Sequence, residues 1–278
     1  MHSKQAVLMI ALACSMSQAG ADESTGTRHP WLESDWRLSL GSFLTNETSK
    51  LSVAGEAGSG DEQIDFGRSL GLDDSDTRLS GTLNWRFGEK WSVGLQYMDS
   101  DTSSTRTLDQ DIEWGDQVLQ AGSSVTGGTV LEVWRVFFGR TFSTGQQHEF
   151  GAGVGLHWME IGAFAEGEFF LNGASTGVER RNVSVQAPLP NIGAWYGYAF
   201  TNRWLAHARL DWFSASVDEY SGSLTNAVVG IGWQPWPHVG FGLDYNYFNV
   251  DVDVESSSWI GSVDMTRDGP FLHVTFDW

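Results

Sequence analysis

The chain has 278 residues and a formal charge of −19, with 35 acidic residues against 16 basic ones. That excess of negative charge argues against nucleic acid or an anionic surface as partner. Hydrophobic residues make up only 41% of the chain, and no apolar stretch after residue 21 is long enough for a helix that crosses a bilayer.

At the N-terminus, Lys4 supplies a short positive segment, and Ala6–Cys14 is an apolar run too short to span a membrane. Ser17–Ala19 and Ala19–Ala21 both suit a signal peptidase. Residues 1–21 therefore read as a cleaved secretory signal peptide, 22–34 as a short tail on the periplasmic side, and 35–278 as one β domain. A lipidated Cys14 is the competing reading; Ala11, where such signals usually carry Leu, speaks against it. Cys14 is the only cysteine, so the mature chain holds no disulfide, thiol nucleophile or cysteine-zinc site.

From residue 36 onward the apolar residues recur with period 2. Trp36, Leu38 and Leu40 share a face in a first strand over 36–44. In 78–87, Leu79, Gly81, Leu83, Trp85 and Phe87 alternate with Arg78, Ser80, Thr82, Asn84 and Arg86. Gly88–Lys90 turns the chain into Trp91, Val93, Leu95 and Tyr97. The same unit recurs with turns at 143–147, 201–203 and 234–238. Aromatic residues mark the turn ends, as in the girdles of a membrane barrel. The spacing predicts a closed antiparallel transmembrane β-barrel of about ten strands, all-β, with short periplasmic turns. Eight and twelve strands remain open, because 50–53 and 63–66 fit either strand extensions or an extra hairpin. Long acidic loops are expected at 45–77, 100–128, 160–190, 218–222 and 251–268.

If the apolar faces meet lipid, the opposite faces meet the lumen. A charge facing lipid at mid-depth would cost about 2–4 kcal/mol, so Arg37, Arg78, Arg86, Arg135, His157, His207, Arg209, Asp211, Asp244, Asn246 and His273 are assigned inward. His207, Arg209 and Asp211 share one strand face; Asp244 and His273 fall at similar heights on neighbouring strands. These groups are expected to pair into an ion network that fills a narrow barrel. A polar pore lining is the competing reading. A metal site is disfavoured because no ligand pair has a metal-binding spacing, and no cofactor is expected. Breaking one pair is expected to loosen the plug and raise ion conductance.

Neither Asp251–Glu255 nor Asp73–Asp76 matches a calcium-loop pattern. Arg180 and Arg181 either meet lipopolysaccharide phosphate or pair with nearby acids such as Glu179. An outer-cleft protease would need acids and a His at the loop end, and a lipid A deacylase a His–Ser pair at the outer lipid-facing edge. Of seven histidines only His157 approaches the outer half, so no catalytic constellation is visible and enzyme activity is not expected. The chain closes with Leu272, Val274, Phe276 and Trp278 alternating with His273, Thr275 and Asp277. That pattern resembles the terminal signal read by the bacterial barrel-assembly machinery. Outer-membrane lipid and lipopolysaccharide are the other expected partners.

Ile64–Phe66 with Leu70–Asp74, Trp85–Phe87, Thr105–Asp109 with Asp111–Asp116, and the terminal Thr275–Trp278 together resemble a group of small proteobacterial outer-membrane β-barrel proteins. In plan the group is similar to the membrane domain of OmpA and to OmpW. The resemblance implies fold and outer-membrane location, and it transfers no catalytic or ligand residue.

Overall fold

The computed structural model describes residues 28–54, 63–65, 76–114, 117–217, 220–255 and 260–278. The signal peptide, most of the tail and Asp73–Ser75 lie outside the described residues. In chain order the elements are α1 (Pro30–Glu33), β1 (Trp36–Ala54), β2 (Gln63–Asp65), β3 (Asp76–Phe87), β4 (Trp91–Thr107), β5 (Ile112–Trp114), β6 (Gln117–Leu119), β7 (Ser124–Thr144), β8 (His148–Leu171), β9 (Ala174–Ala199), β10 (Trp204–Val217), β11 (Tyr220–Trp236), β12 (Val239–Glu255) and β13 (Ile260–Asp277).

Ten of the strands form a closed antiparallel meander in the order β1-β3-β4-β7-β8-β9-β10-β11-β12-β13 and back to β1. Closure leaves no open sheet edge along this ring. At the seam Arg37 lies opposite Asp277 and Leu40 opposite Val274. The Trp36 and Trp278 backbones bond each other in both directions, at 2.9 and 3.1 Å. The three short strands sit at the other end: β2 pairs with β1, and the β5–β6 hairpin lies beside β8.

The strands run much further than the sequence pattern indicates. The expected loop 160–190 is almost entirely β8 and β9, joined by a two-residue turn at Asn172 and Gly173. Both residues take positive φ, 52° and 82°, which fits a hairpin turn matched to strand twist. The expected first strand 36–44 continues to Ala54, so 50–53 belongs to β1 and 63–65 adds a short partner to it. The expected loops 45–77, 100–128, 218–222 and 251–268 likewise shrink, as β3, β4, β7, β10, β11, β12 and β13 continue into them.

The reason is a reversal of polarity along each strand. On β8 the outward residues from Phe150 to Trp158 are apolar, and Phe150, Val154, Leu156 and Trp158 are exposed, Val154 to 58%. That stretch covers about 20 Å of height at strand rise and barrel tilt, near the thickness of a membrane barrel's apolar band. Beyond Trp158 the alternation continues with opposite chemistry: Glu160, Glu166 and Glu168 point out, and Met159, Ile161, Ala163, Ala165 and Phe169 are buried inside. On β7, Leu131 and Val133 are buried while Glu132 faces out and accepts a 2.8 Å bond from the Trp134 indole. With Phe248, Val250 and Met265, these residues form one apolar core filling the barrel beyond the girdle. Leu108, Ile112 and Leu119, around and within the β5–β6 hairpin, close it from above.

Candidate functional site

The lumen below that core is polar, and its groups separate into tiers. The uppermost centres on Asp211, fully buried on β10. Arg135 Nη2 from β7 lies 2.9 Å from its Oδ1, and Arg209 Nε lies 3.3 Å from its Oδ2. Asn226 donates to Oδ2 at 3.3 Å, and Arg209 also donates to Gln96 Oε1 at 3.3 Å. Arg135 further stacks over Phe137, 4.4 Å from the ring centre. His157 lies immediately above, its Nδ1 3.1 Å from Asn191 Oδ1 and its ring beside Phe248. It is 1% exposed, sealed under the apolar core rather than open to the outer end.

The middle tier joins His207 of β10, Asp244 of β12 and His273 of β13. His207 Nε2 is 3.1 Å from Asp244 Oδ1, and His273 Nε2 is 3.3 Å from Oδ2. The expected grouping of His207 with Arg209 and Asp211 is thus divided. His207 reaches across β11 because its register partner there is Gly230, which also lies opposite Asp244. A Cβ at Gly230 would stand 2.7 Å from Asp244 Cγ and 3.0 Å from His207 Nε2.

The lowest tier guards the short-turn mouth. Arg37 Nη2 meets Asp277 Oδ1 at 2.5 Å, and Gln234 donates to the other oxygen at 3.2 Å. Arg86 Nη2 meets Glu149 Oε2 at 2.9 Å, while the Trp195 indole donates to Oε1 at 3.0 Å. Arg86 also donates to the Leu32 carbonyl at 2.7 Å. Residues 28–34 therefore do not trail away as a free tail. Leu32 is buried with Ala199 and Leu205, and the Trp31 ring lies over Gly197 inside the mouth. Arg28 holds the Gly145 carbonyl at 2.7 Å.

All nine residues assigned to the lumen network, Arg37, Arg86, Arg135, His157, His207, Arg209, Asp211, Asp244 and His273, face inward, but in separate tiers rather than one net. Asp277, Glu149 and the plug residues Trp31 and Leu32 were missed. Asp277 was legible as inward by parity from Phe276; Glu149 sits too near a turn for its parity to be read. Leu272, Phe276 and Trp278 are exposed on the outer face of β13, and Val274 is half-buried there. The Arg78 side chain lies outside the described residues. On the outer extension Arg181 pairs with Glu179 at 2.7 Å. Arg180 lies 3.7 Å from Glu166 and stacks on Phe164.

Between the tiers is a chamber of about 230 Å³, lined by His29, Arg37, Arg86, Arg209, Asp244 and His273 among others. His29 caps α1, its Nδ1 accepting from Trp31 N at 3.1 Å. Burial, with the Arg37 charge nearby, holds its pKa down at about 4. An unfolded or undocked His29 titrates near 6.5. Docking of 28–34 is therefore complete above about pH 6.5 and weakens as pH falls toward about 4, where only the released form gains the proton. Hydrogen exchange at the Leu32 and Ser34 amides, corrected for intrinsic rates, should rise across that window. His29→Asn, which keeps a capping acceptor without titrating, should abolish the change; an unchanged pH profile in that variant would refute the assignment.

No protein-family model and no curated protein matches the sequence. Solved structures do resemble the fold. The outer membrane protease OmpT from Escherichia coli aligns with a TM-score of 0.57 at 9% identity, over 87% of this chain and 96% of that one. Two further neighbours are the P. putida toluene transporter TodX (0.39, 8%, 90% and 91%) and Ail, the attachment invasion locus protein of Yersinia pestis (0.32, 12%, 88% and 99%). The architecture is that of an outer-membrane β-barrel; at these identities the likeness extends to fold alone.

Proposed function

We propose that this chain is an integral outer-membrane barrel with a sealed lumen and a structural or surface role. The apolar core of the outer half carries this reading. Leu131, Met159, Leu224, Val250 and Met265 are each at most 1% exposed, and a core packed to that degree leaves no wetted path for ions. The ion pairs and the α1 plug close the lumen again below it. In this reading residues 1–21 are removed on export, the short-turn end is periplasmic, and the extended β7–β9 sheet stands outside the cell. The assembly machinery engages Leu272, Val274, Phe276 and Trp278, and lipopolysaccharide surrounds the outer girdle. Arg180 and Arg181, already paired with acids, add little to that contact.

A narrow diffusion channel is the competing function, and the same core speaks against it. An outer-membrane enzyme is the other. Ser143 Oγ lies 3.2 Å from His148 Nε2, but at the strand ends beside a short turn, exposed, and with no carboxylate bonded to the imidazole among the described residues. A Ser–His pair without an orienting acid is a weak nucleophile.

Outer-membrane fractionation and planar-bilayer conductance test the proposal together. The mature protein should sediment with the outer membrane, migrate as a compact species in detergent gels until heated, and conduct near zero. Phe276→Asp should lower its outer-membrane level. Recovery in the soluble periplasm would defeat the location, and strong steady conductance would replace the sealed barrel with the channel.

A further inference from the structure

We infer that His207, Asp244 and His273 form a binding site for a first-row divalent cation of Zn²⁺ type, opening into the short-turn chamber. Two imidazoles and one carboxylate are a donor set that such ions take, with an open position left for water or a small anion. The ligand atoms lie within 4.8 Å of one another. A tetrahedral ion with bonds of about 2.0–2.1 Å sets its ligand atoms about 3.3 Å apart; His207 Nε2 lies 3.1 Å from Asp244 Oδ1 and His273 Nε2 3.3 Å from Oδ2, so each imidazole stands near that spacing from one oxygen of the same carboxylate.

The three groups are not accounted for as a simple hydrogen-bonded triad. His273 is more than nine-tenths buried. Its Nε2 and Asp244 Oδ1 approach their neighbours without making a hydrogen bond of acceptable geometry, so both are buried and unsatisfied. Leaving such atoms unpaired costs stability. A cation between them satisfies both at once. The ligands come from three strands, and each is held by the register of a closed sheet: His207 and Asp244 both face Gly230, and His273 faces Gly242. Such a scaffold keeps a site in shape before the ion arrives. His207, the most accessible of the three, is 19% exposed toward the chamber, so an ion reaches the site from there once the α1 plug opens or before it docks. The inference does not depend on whether the outer half conducts.

The test uses untagged, full-length mature protein, stripped with chelator in detergent and dialysed against Zn²⁺ or Co²⁺. We expect one ion per chain, a rise in thermal unfolding temperature with Zn²⁺, and a Co²⁺ ligand-field spectrum of a four- or five-coordinate nitrogen–oxygen site. His207→Gln and His273→Gln should each weaken binding by at least about 100-fold, the upper end of what loss of a mere supporting partner costs. Glu166→Gln and Glu168→Gln, on the acidic outer face, should leave affinity unchanged. Where a histidine variant fails to fold, Zn²⁺ X-ray absorption on the wild type decides. Two imidazoles in the coordination shell support the site. Oxygen-only coordination, no binding by 1:1 stoichiometry, or affinity unchanged by His273→Gln overturns it.

Discussion

Replacing Asp211 by Ala should lower unfolding stability in denaturant by about 5 kcal/mol, and Arg135→Ala by about 3 kcal/mol, the two ends of the range for breaking a buried ion pair. The order follows from what each change leaves behind. Without Arg135, Asp211 keeps Arg209 at 3.3 Å and Asn226 at 3.3 Å. Without Asp211, Arg135 at 3% exposure faces Arg209 with no anion between them. The double replacement Arg135→Met with Asp211→Leu should recover part of the Asp211→Ala loss, because it removes the unpaired Arg135 charge at little cost, while Arg209 keeps only Gln96 of its described partners and Asn226 loses its acceptor. Conductance should stay near zero in every one of these variants. The pattern of charges alone suggested that loosening this tier would open the lumen, but the apolar core lies above it and is untouched by the change. Equal effects from the two single replacements, or none, would remove Asp211 from the centre of the tier.

The sequence carried the barrel because period 2 survives wherever one face meets a uniform solvent. A count of about ten strands, the four turns at the short-turn end and the inward parity of the charges were legible from that alternation; the Asn172–Gly173 turn was not. What it hid has one physical source. Apolar-outward residues mark a strand only as far as the girdle, where the pattern inverts, so the extensions of β7, β8 and β9 read as loops rich in Glu. Their apolar partners, Met159, Ile161 and Phe169, stand at the wrong parity for a lipid-facing strand. The tiers were hidden for another reason. Parity says which residues face inward, while partners are chosen by register between strands. His207 lies next to Arg209 and Asp211 in sequence, yet a glycine on β11 lets it reach Asp244 instead. The plug was hidden because 28–34 has no period at all; its place depends on Arg86 and Gly197, far away in the chain.

Three positions on β8, substituted separately by Lys, measure where lipid ends and what fills the barrel above it. Val154→Lys should cost about 2–4 kcal/mol, since this side chain lies midway between Phe150 and Trp158 on the lipid face. Glu160→Lys should cost no more than about 0.5 kcal/mol, as expected of a surface site. Its only described bond is from Gln186 at 3.3 Å. Met159→Lys should cost the most, several kcal/mol for an unpaired charge in a dry interior. Met159 is fully buried among the apolar core residues, with no described carboxylate in that cluster. The decisive comparison is between neighbours. Trp158 meets the girdle, Met159 the core and Glu160 water, within three consecutive residues. Only a barrel that changes from lipid-facing to water-facing outside, and from polar to apolar inside, makes the middle residue the intolerant one. If Met159→Lys is tolerated as well as Glu160→Lys, the outer half is hydrated, and the sealed barrel gives way to a channel.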